Sequence, residues 1–279
     1  MSGFDGAWLA LREPADQRAR NAELASALAA RFALRNQISV VDLGCANGAN
    51  LRALAELLPP TQSWTLVDDD PAVLAAARTA LATWSDNTTA EGEDGLILAV
   101  KGRTIRVRFA HDDLKGDLGA VLGETPDLVT AAAFFDRASP QFIRRLAQAV
   151  VARRAVFYGV LTYNGIQQWT PRWPSDNQMT GAFNRYQMRD RGFGPSAGPT
   201  APTHLADQFR IAGYAVQEGG SPWKLAGTHD AQLIATLASR HAAAIGETGA
   251  LDHKTITQWC ARPHTKAEIG HTDTLAVPA

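Results

Sequence analysis

The feature that most constrains the fold is the stretch S-V-V-D-L-G-C-A-N-G-A-N, residues 39–50, where a β-branched apolar run ends in Asp42 and opens into a glycine-containing loop. The next segment, L-R-A-L-A-E-L-L, is typical of a helix, and Pro59-Pro60 ends it. A buried strand that passes through such a loop into a helix is the arrangement in which α/β proteins hold nucleotides. The sequence therefore predicts an α/β protein with a nucleotide-type site after this strand.

Strand and helix patterns alternate as far as residue 161. Strands are predicted at 38–43, 63–68, 127–133, 155–161 and 214–217, on both sides of the turn Lys101-Gly102, and at 274–278. Helices are predicted at 14–33, with Pro14 near the start, and at 49–58, 71–84, 140–151, 204–212, 229–245 and 251–262. This alternation predicts a mostly parallel sheet with helices on both faces.

The glycine loop places Asp42, Gly44 and Gly48 in the pattern D-x-G-x-x-x-G. A dinucleotide fingerprint would read G-x-G-x-x-G, but Ala46 stands at its second glycine and the third is missing. No Gly-Lys-Ser/Thr follows, so the loop is not a Walker loop either. The loop is therefore not predicted to hold a pyrophosphate or triphosphate.

The run V-V-D-L-G-C-A-N-G resembles the first motif of the class I S-adenosylmethionine-dependent methyltransferases, which typically reads D-x-G-C-G-x-G. Three later stretches fit the same family in order: L-V-D-D-D-P, R-F-A-H-D-D-L and P-D-L-V-T-A-A-A-F-F-D. The resemblance covers about residues 38–161 and implies that the cofactor is S-adenosyl-L-methionine.

The resemblance also implies a set of cofactor-binding residues. It gives the ribose hydroxyls to Asp68, with Asp69 as second choice, while Asp70 caps the next helix. It gives the adenine amino group to Asp113, with Asp112 as the open alternative. The full set is Asp42, Gly44, Cys45, Ala46, Asn47, Gly48, Asp68, Asp69, Asp112, Asp113, Leu114 and Ala131.

The fold implied by the resemblance is a doubly wound, mostly parallel, seven-stranded sheet whose last strand is antiparallel and lies at the edge. We expect one methyltransferase domain over residues 1–279, with an N-terminal helical cap at 1–35. Residues 163–203 break the alternation of strands and helices and are rich in Gly, Pro, Asn, Gln, Trp and Arg. A long irregular stretch of this kind predicts a substrate-binding lid inserted after strand five.

Ala46 departs from the family pattern, because glycine is usual at that position. Alanine favours a negative φ, whereas glycine tolerates a positive one. We therefore predict a negative φ at Ala46, with its methyl group turned away from the cofactor.

The methyl acceptor is expected to be a small molecule, reached by in-line displacement at the sulfonium methyl. Methyltransferases of nucleic-acid or glutamine amide nitrogens carry Asn/Asp-Pro-Pro-Tyr/Phe after strand four, but here the segment reads A-A-A-F-F-D. No cysteine near that strand could act as the nucleophile of a cytosine-C5 enzyme. Asp136 has only Asn164 as a partner for a magnesium site, so no metal is expected.

No catalytic residue is fixed by the sequence, because methyl transfer depends mainly on positioning and desolvation. The catalytic candidates are Asp136 and Tyr163. His271 and Asp273, near the last strand, are further candidates for the site. Arg12 is a candidate for the cofactor carboxylate, and arginines in the lid would suit a carboxylated or phosphorylated acceptor. The substrate-binding candidates are Trp8, Arg12, Tyr163, Asn164, Asn184, Gln187, Arg191 and Phe193.

The composition and net charge of the chain limit the classes of partner that it is expected to bind. The formal net charge of the 279 residues is -1, which gives no field for nucleic acid or an anionic membrane. No apolar run approaches the roughly 20 residues of a membrane helix, and the N-terminus does not read as a signal peptide. The two cysteines lack metal-ligand spacing. A cytoplasmic protein with a small-molecule partner is expected, and its oligomeric state stays open.

Two other functions remain open. A nicotinamide-dependent oxidoreductase is disfavoured by the missing third glycine. A catalytically silent, methyltransferase-like binding or assembly protein is disfavoured by the acids Asp42, Asp68 and Asp113, which together could hold a cofactor.

Overall fold

The computed structural model describes residues 5–279, which form one ten-stranded sheet with helices on both faces. The strands are β1 Gln37–Leu43, β2 Thr61–Asp68, β3 Asn87–Glu91, β4 Gly95–Val100, β5 Arg103–His111, β6 Leu128–Ala132, β7 Val156–Thr170, β8 Tyr214–Gly220, β9 Trp223–Ala226 and β10 Lys266–Pro278. The helices are α1 Gly6–Ala19, α2 Ala22–Phe32, α3 Ala49–Leu54, α4 Pro71–Trp84, α5 Leu118–Leu122, α6 Pro140–Ala152, α7 Asp176–Gln187, α8 Ala201–Ile211, α9 Ala231–Gly246 and α10 His253–Cys260.

The strand order is β3-β4-β5-β2-β1-β6-β7-β10-β8, with β9 also paired to β10. From β5 to β7 the neighbouring strands are parallel, and β10 runs antiparallel to β7, β8 and β9. The antiparallel last strand is therefore present. It lies inside the sheet between β7 and β8, so its predicted place at the edge is wrong, and the sheet has ten strands where seven were expected.

The two faces of the sheet bury separate cores because side chains alternate along each strand. On β1, Val40 packs into the core beneath α2, α3 and α4, whereas Val41 packs into the core beneath α5, α6 and α8. The parallel strands β5, β2, β1, β6 and β7 have their carboxyl ends along one side of the sheet. These ends are where α/β sheets place their sites.

The hairpin at Lys101-Gly102 is confirmed. Lys101 has φ 47° and Gly102 φ 77°, which are the left-handed values of a type I′ turn. On β5, Ile105 and Val107 are buried while Arg106 is exposed, as the alternation predicts. β4, the predicted partner of β5 in this hairpin, and β3, which was not predicted, extend the sheet beyond β5.

The N-terminal helix predicted at 14–33 is two helices. Arg20 has an extended backbone, with ψ 138°, and ends α1, while Asn21 begins α2 by accepting a hydrogen bond from the Leu24 amide. An Asn side chain that caps a helix explains the break. Pro14 lies inside α1 and not at its start.

The predicted lid stretch, residues 163–203, is largely regular. Its first part continues β7 to Thr170 along β10, and α7 follows. Together with α1, α9, α10 and β9, these elements build a third hydrophobic core around Trp169 and Trp259. The polar sequence T-Y-N-G-I-Q-Q-W-T hid the strand, since its pairing with β10 is a long-range event.

Candidate functional site

The glycine loop after β1 contains three left-handed residues: Gly44 at φ 62°, Ala46 at φ 47° and Gly48 at φ 75°. The predicted negative φ of Ala46 is wrong. Every second residue from Gly44 to Gly48 is left-handed. The Ala46 amide donates to Asp68 Oδ2 at 3.3 Å, and this bond holds the strained conformation of Ala46. A left-handed backbone brings the Cβ of a residue too close to the following carbonyl oxygen. At Ala46 this costs about 1–2 kcal/mol.

Gly44 is required by packing as well as by its φ. A Cβ at this position would lie 2.8 Å from Cδ2 of Phe134, which is too close for any side chain. Phe134, just after β6, therefore packs directly against the loop backbone. The carboxyl ends of β1 and β6 meet at this contact, and only glycine is small enough to let the Phe134 ring approach the loop backbone so closely.

Asp42, at the end of β1, is completely buried and hydrogen-bonded to Asn50. Asn50 Nδ2 donates to Asp42 Oδ1 at 2.8 Å and lies 3.1 Å from Thr130 Oγ1 on β6. Asp42 Oδ2 has no hydrogen-bond partner among residues 5–279. Burial raises the pKa of Asp42 to about 7, so its carboxyl changes charge near neutral pH.

Asp68 ends β2 beside the glycine loop. Its two oxygens accept long hydrogen bonds of 3.3 Å from the amides of Ala46 and Asp70, and the side chain is only partly buried. Burial raises its pKa above the ordinary value. Asp69 is exposed, and Asp70 caps α4 through the Ala72 amide, as predicted.

The acids after β5 differ in their contacts. Asp113 Oδ1 accepts from the Lys115 amide at 2.9 Å, so it belongs to a local turn. The Asp112 amide donates to the Asp68 carbonyl at 3.2 Å, which brings the backbone of Asp112 beside the end of β2. Leu114 is buried beneath them. Asp112 is thus the acid whose backbone adjoins Asp68.

Four remaining cofactor candidates lie along the same strand ends. Cys45 and Gly48 are buried, Ala131 is buried in β6, and Asn47 is partly exposed with its carbonyl accepting from Arg52 Nη1 at 2.8 Å. Burial raises the pKa of the Cys45 thiol well above its usual range, which disfavours a thiolate nucleophile there.

Backbone strain concentrates at this edge of the sheet. Five residues other than glycine have positive φ within the described chain, and three of them follow or interrupt parallel strands: Ala46, Ala133 at φ 51° and Leu161 at φ 56°. Such strain persists only where the surrounding structure enforces it, and functional sites are enriched in it. The edge formed by β1, β6 and β7 is therefore the candidate site.

Asp136, in a short 3₁₀ turn after β6, faces the lid. It is buried, and Oδ2 accepts from Gln187 Nε2 of α7 at 3.1 Å. Arg191 Nη2 donates in turn to Gln187 Oε1 at 3.1 Å and stacks over the Tyr186 ring. Burial raises the pKa of Asp136, against the opposing charges of Arg137, Arg12 and Arg191. A buried carboxyl of this kind can accept a proton.

Tyr163, on the extended part of β7, has both of its hydrogen-bonding roles filled. Its hydroxyl donates to Asn184 Oδ1 at 2.7 Å and accepts from Gln167 Nε2 at 2.8 Å. Burial raises the Tyr163 pKa, so the phenol stays neutral at physiological pH. Asn184 Nδ2 also bonds the Gly165 carbonyl, which joins α7 to β7.

Arg12 and Trp8 lie on α1, and the Arg12 charge acts on both Asp136 and His271. Arg12 makes a two-pronged ion pair with Asp16, at 2.8 and 3.1 Å, and stacks on Trp223. The Trp8 ring packs against the Trp223 ring, 6.4 Å between centroids. Because Asp16 already neutralises Arg12, the expected contact of Arg12 with a cofactor carboxylate is not supported.

His271, the buried histidine of β10, lies beside Tyr163 and Trp223. The ring of His271 lies 6.2 Å from that of Tyr163 and 5.3 Å from that of Trp223, and its Nδ1 has no hydrogen-bond partner in the described chain. Burial and the Arg12 charge lower its pKa to about 3, so the imidazole is neutral. His271 therefore offers a neutral polar group to the acceptor side.

Three of the site residues predicted from the sequence make their contacts apart from Asp136, Tyr163 and His271. Asn164 donates to Thr272 Oγ1 on β10 and accepts from the Ile166 amide of its own strand β7. Phe193 packs against Phe134 and Phe142 at centroid distances of 5.7 and 4.7 Å. The carboxylate of Asp273 is fully buried in a β-bulge, where it accepts from the amides of Leu161 and Asn21 and from Ser221 Oγ. Its role is structural.

Sequence reasoning missed Arg20, Asn50 and Thr130. Arg20 Nη2 donates to Asn50 Oδ1 at 2.9 Å, which places the end of α1 over the start of α3. A polar Asn at an inward position of the first helical turn was the available signal for Asn50. Nothing local in the sequence marks Arg20, because its partner lies 30 residues away.

Residues 5–279 contain neither a metal-ligand cluster nor a membrane-spanning helix. No group of three or more His, Cys, Asp or Glu residues is placed as metal ligands would be. No helix between residues 5 and 279 is both long and apolar enough to cross a membrane.

Solved structures share this architecture. A cyclopropane-fatty-acyl-phospholipid synthase-like protein from Lactobacillus casei is 15% identical, with a TM-score of 0.55 over 95% of this chain and 91% of that chain. The YcgJ protein from Bacillus subtilis is 14% identical, with a TM-score of 0.52 over 93% and 100%. A candidate methyltransferase from Bacillus halodurans is 9% identical, with a TM-score of 0.52 over 91% and 99%. No protein-family model and no curated protein matches the sequence. At these identities the likeness shows the fold alone.

Proposed function

We propose that this chain, which has the class I methyltransferase fold, transfers a methyl group from S-adenosyl-L-methionine to a small-molecule acceptor. The observation that carries the proposal is the glycine loop between two carboxylates. Asp42 and Asp68 end adjacent parallel strands, and the loop is tied to Asp68 through the Ala46 amide. Such a site suits a ligand with a cationic sulfonium and ammonium, since it offers acids and no phosphate-binding lysine.

The residues present fit this cofactor. Asp68 is partly exposed and makes only two long hydrogen bonds, so its oxygens keep lone pairs for the two ribose hydroxyls. Gly44 and Gly48 let the loop backbone pack closely against Phe134 and Leu81, where an added Cβ would lie 2.8 and 3.2 Å from the nearest side-chain atom. Asp112 would accept from the adenine amino group more readily than Asp113, which is engaged with Lys115.

The bound cofactor would supply an electrophilic methyl group on a good leaving group, so the protein mainly has to orient the acceptor and exclude water. Trp223 and Tyr163 would wall the acceptor. Asp136 would take a proton from an acceptor that must lose one, because its raised pKa brings it closer to neutral pH. Gln187, which donates to Asp136, would position that carboxyl, and Tyr163 would hold α7 against β7 through its bond to Asn184.

The predicted lid meets the rest of the candidate site through Gln187, Asn184 and Arg191. These residues of α7 and the loop after it meet Asp136 and β7 above the carboxyl edge, so we infer that residues 163–203 help to choose the acceptor. Within residues 5–279 the Arg191 side chain makes one hydrogen bond, to Gln187, which leaves most of its donors available. An acceptor with a carboxylate or phosphate would suit it.

Calorimetry with S-adenosylhomocysteine, the product form of the cofactor, tests the proposal. Wild-type protein should bind it and not NADH. Asp68→Ala should weaken binding by at least tenfold, because each charge-assisted hydrogen bond contributes roughly 1.5–3 kcal/mol. Asp70→Ala is the matched control, since Asp70 caps α4 and should affect stability alone. Binding of NADH in place of S-adenosylhomocysteine would rule the proposal out.

A further inference from the structure

A cavity opens at the edge of the sheet where the parallel strands begin, opposite the edge that carries the glycine loop. Its volume is about 370 Å³, which falls within the roughly 300–1,000 Å³ of small-molecule sites. The cavity lies between the end of α2, the loop before β6 and the turn that joins α6 to β7. Because β1 has seven residues, the cavity is about 20 Å from the glycine loop along that strand. It is therefore separate from the candidate site described above.

Four arginines and one carboxylate line this cavity. Arg31 and Arg35 come from the end of α2 and the turn after it, and Arg153 and Arg154 from the end of α6. The carboxylate belongs to Asp127, which forms an ion pair with Arg35. That pair leaves three guanidinium groups of the lining without a compensating carboxylate.

The three remaining arginines have donors to offer. Arg31 and Arg154 are exposed, and within residues 5–279 neither side chain takes part in a hydrogen bond or an ion pair. Nη1 and Nη2 of Arg153 donate to the carbonyls of Ala149 and Gly119 at 3.0 and 2.7 Å, and Nε donates to a third carbonyl. Neutral carbonyls orient this guanidinium but leave its charge unmatched. Like charges around one cavity repel each other unless an anion lies between them.

The backbone of Arg154 gives a second indication of a binding role. Arg154 has φ 52° just after α6, at a position where glycine is usual because a left-handed backbone crowds a Cβ. Its amide donates to the Val151 carbonyl at 2.9 Å, and the Ala155 amide donates to the Val150 carbonyl at 3.3 Å, which is the pattern of a Schellman helix end. Glycine would form this turn with less strain, so the turn alone does not explain an arginine here.

We propose that this cavity binds a small molecule with two or more phosphate groups. Guanidinium groups bind phosphate oxygens through paired hydrogen bonds, and the several negative charges of such a ligand match the three uncompensated arginines. The apolar lining residues Phe32 and Val156 are buried, so the surface that a ligand meets is mainly that of the arginines. The proposal does not depend on the function proposed above, because the two sites lie at opposite edges of the sheet.

Calorimetry with inorganic triphosphate, at low ionic strength and without divalent cations, tests the proposal. The wild-type protein should bind triphosphate at least tenfold more tightly than inorganic phosphate. The double variant Arg31→Ala/Arg154→Ala should weaken triphosphate binding at least tenfold. Arg144→Ala is the matched control, because Arg144 is an exposed arginine of α6 that does not line the cavity, and it should change binding less than twofold. Equal weakening by the control overturns the proposal, since it would mean diffuse attraction to basic side chains.

The variant Arg154→Gly separates binding from folding. Glycine adopts the left-handed backbone without strain, so the melting temperature should stay at or above that of the wild type. Triphosphate binding should nevertheless weaken at least threefold, because one guanidinium is lost. Wild-type affinity in this variant would contradict the proposal, since the Arg154 side chain would then contribute nothing to the site.

Vesicles test whether the phosphate groups belong to a lipid surface instead. The protein should not sediment with vesicles of phosphatidylcholine and phosphatidylglycerol in equal parts, because the cavity is sized for a small molecule. Sedimentation with these vesicles, without binding of triphosphate, would assign the arginines to a membrane surface and overturn the proposal.

Discussion

Asn50 Nδ2 donates a hydrogen bond of 2.8 Å to Oδ1 of Asp42, and both side chains are buried. This bond joins the first turn of α3 to the end of β1, on either side of the glycine loop. The loop is therefore closed by a side-chain contact as well as by its backbone, and a change at either residue should affect the whole strand–loop–helix unit.

Asn50→Ala should lower the free energy of unfolding by about 3 kcal/mol, because it leaves Asp42 buried with no hydrogen-bond donor. Urea denaturation measures the change. Asn47→Ala is the control, since the structure gives the Asn47 side chain no hydrogen bond and only partial burial. A loss below 1 kcal/mol in Asn50→Ala would mean that the loop does not depend on this bond.

Ala46→Gly should stabilise the protein by about 0.5 kcal/mol. Glycine removes the strain of a left-handed alanine, and the greater freedom of the unfolded chain offsets part of that gain. Ala53→Gly, in the right-handed backbone of α3, should instead lower stability by about 1 kcal/mol. Thermal or urea unfolding of both variants would show opposite signs, and a destabilised Ala46→Gly would contradict a left-handed Ala46 with φ 47°.

Gly44→Ala should destabilise the protein more than Gly102→Ala, although both glycines have similar positive φ. The added Cβ would meet Phe134 at 2.8 Å in the first case and nothing within 4 Å in the second. The difference in unfolding free energy between the two variants isolates the clash, which should be about 1–3 kcal/mol. Equal losses would show that Phe134 moves aside freely.

The stability of the protein should depend on pH through His241. Burial lowers its pKa from 6.5 to about 4, so the unfolded state takes up a proton between these values and the folded state does not. This contribution to stability is complete above pH 6.5 and is lost as the pH falls toward 4. Within residues 5–279 no charged side chain contacts the ring, which stacks on Phe183 and bonds Gln167 and the Leu237 carbonyl.

The variant His241→Gln isolates this dependence from other titrating groups. Between pH 7.5 and pH 5.5, the wild type should lose about 1.4 kcal/mol more than the variant, which is the free energy of one proton over one pH unit. Urea unfolding at the two pH values measures the difference. Parallel pH profiles for the two proteins would show that His241 is protonated in the folded state.

Local sequence determined the parts of the fold whose signal lies within a few neighbouring residues. The strand that ends at Asp42, the turn at Lys101-Gly102 and the cap at Asp70 all follow from side-chain alternation, turn chemistry or capping. The order of acids after β1, β2 and β5 likewise indicated which edge of the sheet carries the site. These features are local because each depends on backbone geometry over one turn or one strand.

Tertiary structure decided what depends on distant partners. The left-handed Ala46 is enforced by Asp68, the extension of β7 by β10, and the position of Asn21 on the sheet by Asp273. Side chains separated by tens to hundreds of residues meet only when the sheet has assembled, so no local pattern encodes them. Packing energy and hydrogen bonding then override the intrinsic preference of alanine for a negative φ. They also place Arg20 beside the glycine loop, a contact that the sequence alone did not predict.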